Sequence, residues 1–99
     1  MTVAPPRTFS VLVEVRLRPG IADPEGATIE RALPALGLEG VTGVHAGKAF
    51  RFEVDADDEA AALARAAAVA DRFLANPVIE ESTVTVVAGP EADTLPGAG

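Results

Sequence analysis

The side chains able to carry chemistry are few. His45 is the only histidine in 99 residues, and there is no cysteine. A metal site around His45 would need further ligands at matching spacing, and general-base work would need a carboxylate to orient the ring; neither is identifiable along the sequence. A structural or interface role is therefore expected for it. Ser10 and Ser82 fall in strand-like runs and lack the Gly-X-Ser-X-Gly turn that lifts a hydroxyl out as a nucleophile. Asp55, Asp57, Asp58 and Glu59 could be read as a hard-cation cluster, but the acidic opening of a helix explains them more simply. Gly37, Gly40, Gly43 and Gly47 lack the tight strand-loop-helix arrangement that cradles a phosphate. Arg16, Arg18, Lys48 and Arg51 would gather if the first two strands pair, which suggests an anionic partner surface or, more simply, a solvated sheet face.

Composition narrows the function classes. Eight Lys and Arg against fifteen Asp and Glu give a net charge of −7, and four Phe are the only aromatic residues. Nucleic acids and anionic membranes are recognised by clustered cations and stacking rings, so neither is an expected partner. The longest apolar-looking stretch, residues 60–74, is interrupted by Arg65, Asp71 and Arg72 and is too short to span a bilayer. Lack of cysteine agrees with a reducing compartment, and the N-terminus combines no basic region with a long apolar run. A cytoplasmic location is expected. A core this small is marginal on surface-to-volume grounds, which favours burial against another subunit.

The elements that must position these side chains follow from periodicity. Residues 1–8, with Pro5 and Pro6, and residues 89–99, with Pro90 and Pro96, are expected to be flexible tails around a single domain over 9–88. Alternation of Val11, Val13, Val15 and Leu17 with polar residues predicts a half-buried strand from Phe9 to Arg18, ended by Pro19-Gly20. Asp23-Pro24-Glu25 opens a helix with an apolar stripe of Ile29, Ala32, Leu33 and Leu36, stopped by Gly37. Pro34 conflicts with a regular helix end and predicts a kink or a tightened last turn. Residues 41–55 read as a long strand with a bulge or bend at Gly43 and Gly47.

A second helix opens at Asp57 and Asp58, turns Leu63, Ala67, Ala70, Phe73 and Leu74 toward the core, and stops at Asn76-Pro77. Its many alanines favour helix and allow close packing. Aspartate at Leu63 or Phe73 is expected to abolish folding. A last strand over 79–87 carries Val84 and Val86 on one face. The expected class is α+β in the order β-α-β-α-β, a small sheet with two helices on one face.

Two stretches are more specific than any single residue. Residues 17–26 (LRPGIADPEG), followed by Ile29 to Leu33 and Leu36-Gly37, and residues 74–80 (LANPVIE), with Val44 to Lys48 between them, resemble the PurS family, small subunits of bacterial phosphoribosylformylglycinamidine (FGAM) synthase. The likeness runs from about Val11 to Val86. It implies a PurS-like fold and a non-catalytic subunit of a purine-biosynthetic assembly. That assembly converts formylglycinamide ribonucleotide (FGAR), glutamine, ATP and water to FGAM, glutamate, ADP and phosphate. It implies a homo-oligomer, a dimer or a tetramer, bridging a glutaminase and a synthetase subunit and assisting ammonia transfer. No cofactor is expected on this chain, while the complex uses ATP, Mg and glutamine. Contact candidates are Arg18, Pro19, Gly20, His45, Lys48, Arg51, Asn76 and Pro77. Two competing readings are an ACT-type small-molecule sensing dimer, which predicts saturable binding of an amino acid, and a small dimeric α+β enzyme of the ferredoxin-like barrel kind, which predicts turnover by the chain alone.

Overall fold

A computed structural model describes residues 7–90. The central strand β1 (Arg7–Leu17) is flanked by β2 (Gly47–Ala56) and β3 (Glu80–Ala88), in the order β2-β1-β3. Both outer strands run antiparallel to β1. They are therefore parallel to each other, and the helix joining them crosses over β1. The α+β class and the β-α-β-α-β order stand as expected. Arg7 pairs with Ala56 and the Thr8 hydroxyl donates to Asp55 at 2.8 Å, so two residues expected in the N-terminal tail belong to the sheet. Of the rest of the expected tails, Gly89 and Pro90 follow the end of β3, and residues 1–6 and 91–99 lie outside the described residues.

One face of β1 supplies the core. Phe9, Val11, Val13 and Val15 are 2 % exposed or less, and the register sets Val54, Phe52 and Phe50 beside them on β2, with Val86 and Val84 on β3. The lid is α2 (Glu59–Val69), whose N-terminus is capped by the Asp58 carboxylate accepting from the Ala61 amide at 2.8 Å. Ala62, Ala66 and Ala70 recur every four residues and are fully buried on the valine rows. Methyl side chains let the helix backbone settle close to the sheet, which is the packing that the alanine-rich composition foretells.

The end of this helix departs from regular geometry. Residues Ala70–Leu74 form a π turn in which the Ala75 amide donates to the Ala70 carbonyl at 2.9 Å. The wider turn carries Leu74 beneath Ala70 and rotates Phe73 outward, where it is 83 % exposed. The expectation that Phe73 faces the core is thereby corrected.

The first helix differs more. α1 (Pro24–Ala32) is followed by a 3-10 turn, Pro34–Leu36, so Pro34 tightens the chain as its missing N–H requires. Gly37, at φ +81°, then reverses the chain in a conformation that side chains other than glycine's resist. The apolar stripe of this helix lies largely outside the core: Ile29 is 42 % and Leu36 72 % exposed, Leu33 is half-buried, and Gly26 is the one buried residue of α1. Residues 41–46 likewise form no strand, since β2 begins at Gly47. The amides of Val44 and Ala46 are turned toward α1 and donate to the carboxylates of Glu30 and Asp23, at 3.0 and 2.9 Å. A strand there would need those amides for a neighbouring strand.

The contrast between the two helices gives a stability test. Ala66→Leu drives three carbons into the closed helix-sheet contact and should cost about 1–3 kcal/mol, lowering the thermal midpoint by at least about 4 °C. Phe73→Asp should leave stability within about 0.5 kcal/mol, because the ring lies in solvent. Thermal melts followed by circular dichroism check both.

Candidate functional site

One end of the sheet gathers polar side chains. β1 leaves the sheet at Leu17 and turns through Pro19-Gly20, with Gly20 at φ +87° and the Ile21 amide donating to the Arg18 carbonyl at 3.1 Å. Opposite this turn, Asn76 stops the second helix. Its carbonyl accepts from the amides of Ile79 and Glu80 at 3.1 and 2.7 Å, and its side-chain oxygen accepts from Val78 at 3.1 Å. Arg18 joins the two turns: its amide donates to the Ile79 carbonyl at 2.8 Å and its Nε to the Pro77 carbonyl at 3.0 Å.

The cations at this end are matched by carboxylates. Glu81, opposite Arg16 in register, holds Arg16 at 3.3 Å and Arg18 at 3.7 Å on the sheet face away from α2. Arg16 also donates to the Thr83 hydroxyl at 2.7 Å. Lys48 lies opposite the buried Val15 and so shares the core face, where Glu80 holds it at 3.6 Å. Glu80 accepts in addition from the Asn76 amide at 2.7 Å. Exposed pairs of this kind contribute between nothing and about 1 kcal/mol each. Their effect is to fix directions and neutralise charge, so the open basic surface considered for Arg16, Arg18, Lys48 and Arg51 does not form.

Asp23 organises the other side of the same end. Its carboxylate accepts from the Gly26 amide at 2.9 Å, capping α1, and from the Ala46 amide at 2.9 Å, 23 residues away. His45 Nδ1 stands 3.6 Å from it, with the ring 81 % exposed. The two amide bonds, more than the nearby imidazole, hold the Asp23 carboxyl below its ordinary pKa against the opposing effect of desolvation. A cleft of about 360 Å³ opens beside it among Arg16, Arg18, Ile21, His45 and Glu81. A second, lined by Val15, Glu25, Lys48 and Glu80, shares Leu17, Asp23 and Ala46 with the first.

Seven of the eight residues singled out in the sequence thus meet at one end: Arg18, Pro19, Gly20, His45, Lys48, Asn76 and Pro77. Arg51 stands apart, opposite Leu12 in mid-sheet and exposed. Sequence reasoning missed Glu80 and Glu81 as their partners, and it read Asp23 only as a cap. The Asn-Pro stop and the length of the last strand would have placed both glutamates opposite the end of β1. Among the described residues no three His, Cys, Asp or Glu side chains are grouped to hold a metal ion, and every buried side-chain polar atom has a hydrogen-bond partner. The arrangement makes a charge-matched surface indented by shallow clefts.

The lowered Asp23 pKa links this end to pH. The carboxylate form is favoured by folding, so its stabilisation is complete above the unfolded pKa and is lost as pH falls through the folded one. In an acid titration by NMR, the Gly26 and Ala46 amides should shift together with one inflection below the ordinary carboxylate range, and Asp23→Ala should abolish it.

Comparison with known proteins places this surface in context. The family model described as "PurS: Phosphoribosylformylglycinamidine (FGAM) synthase" matches residues 10–88. Among relatives, the phosphoribosylformylglycinamidine synthase subunit PurS of Mycobacterium leprae is 42 % identical over 76 residues, covering 75 % of this chain and 90 % of that protein. The corresponding subunit of Synechocystis is 37 % identical over 81 residues, covering 82 % and 81 %. The crystal structure of the Thermotoga maritima purS subunit superimposes with a TM-score of 0.76 at 31 % identity, covering 81 % of this chain and 92 % of that one. A chain of the Thermotoga maritima PurLQS structure gives 0.75 at 31 %, covering 81 % and 98 %. With the matched region spanning all three strands and both helices, the chain belongs to the PurS family of FGAM synthase subunits.

Proposed function

We propose that this chain is the small, non-catalytic subunit of an FGAM synthase, working in de novo purine synthesis. The assembly joins FGAR to nitrogen taken from glutamine, with ATP and water consumed and FGAM, glutamate, ADP and phosphate released. The observation that carries this reading is the match to a chain of the PurLQS structure, which this chain covers over 98 % of its length. On this reading a glutaminase releases ammonia, a synthetase consumes it with ATP and Mg, and the small subunit bridges them as a homodimer in the cytoplasm without binding a cofactor itself.

The physical demand on such a subunit is modest in chemistry and strict in shape. Ammonia passing between two active sites is lost to solvent or to protonation unless its route is enclosed, so a subunit that fixes the contact around that route serves the reaction without touching a reacting bond. A sheet end whose cations and carboxylates are already paired suits that role, because docking there leaves no stray buried charge. Both β2 and β3 are edge strands whose free main-chain groups can pair with a second copy.

Reconstitution tests the proposal. Glutaminase and synthetase subunits mixed with glutamine, ATP and FGAR should form FGAM only when this chain is added, while ammonium salt in place of glutamine should bypass the requirement. Full glutamine-dependent synthesis in its absence would overturn it.

A further inference from the structure

The connection between β1 and β2 is long, and its shape is not set by the hydrophobic core. α1 buries only Gly26, its principal contact with another element is its own 3-10 turn, and its apolar stripe is exposed at Ile29, Ala32 and Leu36, with Leu33 half-buried. Three residues on one side of α1 hold the returning chain instead. Asp23 takes the Ala46 amide, Glu30 takes the Val44 amide, and between them Gly26 lies so near the Val44 carbonyl oxygen that a Cβ there would collide with it. The spacing of Asp23, Gly26 and Glu30 is the three- and four-residue interval that lines side chains along one helix face.

The closed segment is joined to the sheet at its two ends. Arg18 is fixed to Ile79 on one side, and on the other Gly47 pairs with Arg16, where a Cβ would meet the Val15 carbonyl oxygen at 2.7 Å. Everything from Asp23 to Ala46 thus hangs between two fixed points and is clasped to itself by two carboxylate-to-amide bonds.

We propose that residues 23–46 form a latched arm that opens as one unit while the sheet and α2 stay folded, with Asp23, Gly26 and Glu30 as the latch. Each latch bond closes a loop, of 23 residues for Asp23 and 14 for Glu30, so losing one raises the entropy cost of keeping the other. The two therefore open together. Opening exposes little new apolar surface, because three of the four residues of the arm's stripe are already exposed, and its free energy lies well below that of unfolding the valine core. In the closed state α1 is held at one angle with Ile29 and Leu36 outward; in the open state that angle is released.

Native-state hydrogen exchange on the whole chain, with stepwise denaturant, distinguishes this device from a uniformly rigid domain. The amides of Val44 and Ala46 should exchange through a shared opening with a shallow denaturant dependence, while those of Val11 and Val13 follow global unfolding with the full slope. Glu30→Ala should speed exchange at least about tenfold at Ala46 as well as at Val44, although the Ala46 acceptor is untouched, and should leave Val13 unchanged. Two outcomes would overturn the proposal: Val44 and Ala46 exchanging only by global unfolding, or Glu30→Ala affecting Val44 alone. The wild-type slopes decide the question even if a variant fails to fold, and they do so whatever the subunit's role in synthesis.

Discussion

Burial of one face of β1 under Ala62 and Ala66 of α2 and Ala70 of the π turn that ends it is the contact from which the rest of the molecule hangs. Phe9, Val11, Val13 and Val15 on the strand and Ala62, Ala66 and Ala70 on the helix and its last turn make up seven of the nine buried hydrophobic residues among those described. Because β1 lies between the other two strands, each of its residues from Val11 to Arg16 fixes a partner on both sides, and one buried row sets the register of the whole sheet. The polar end inherits its geometry from that row. Glu81 meets Arg16, and Lys48 meets Val15, only while the register holds.

The two halves of the chain are stabilised differently. From β2 onward the helix is fixed by apolar packing, which is short-ranged and insensitive to pH. Between β1 and β2 the helix is fixed by hydrogen bonds from backbone amides to carboxylates, which depend on ionisation and direction. Net charge sharpens the distinction, because a chain at −7 gains by placing carboxylates against amide dipoles instead of against each other. Asp23 and Glu30 are placed in that way.

Much of this was legible in the sequence, and the rest was not for identifiable reasons. Alternation broken only at Leu12 revealed β1, and the Asp-Pro-Glu and Asn-Pro runs located a helix start and a helix end, because local chemistry decides those features within a few residues. Family likeness followed from the same turns. Phe73 was misread since a π turn depends on how the helix meets the sheet, and regular periodicity assumes that no such turn occurs. The stripe of Ile29, Ala32, Leu33 and Leu36 was correctly seen as apolar, yet Ile29, Ala32 and Leu36 are exposed. Periodicity shows that a face is apolar, not what covers it. Asp23 was legible as a cap because Gly26 is three residues away, whereas its bond to Ala46 depends on the fold closing over 23 residues.

The use of alanine where most helices present leucine also fixes a dimension. A lid of methyl groups lets the helix backbone settle close to the sheet, so that this part of the chain is a slab only one helix and one strand deep. Two bodies resting on its opposite sides are kept within a short distance of each other. Thinness of this kind shortens any path that must run from one to the other.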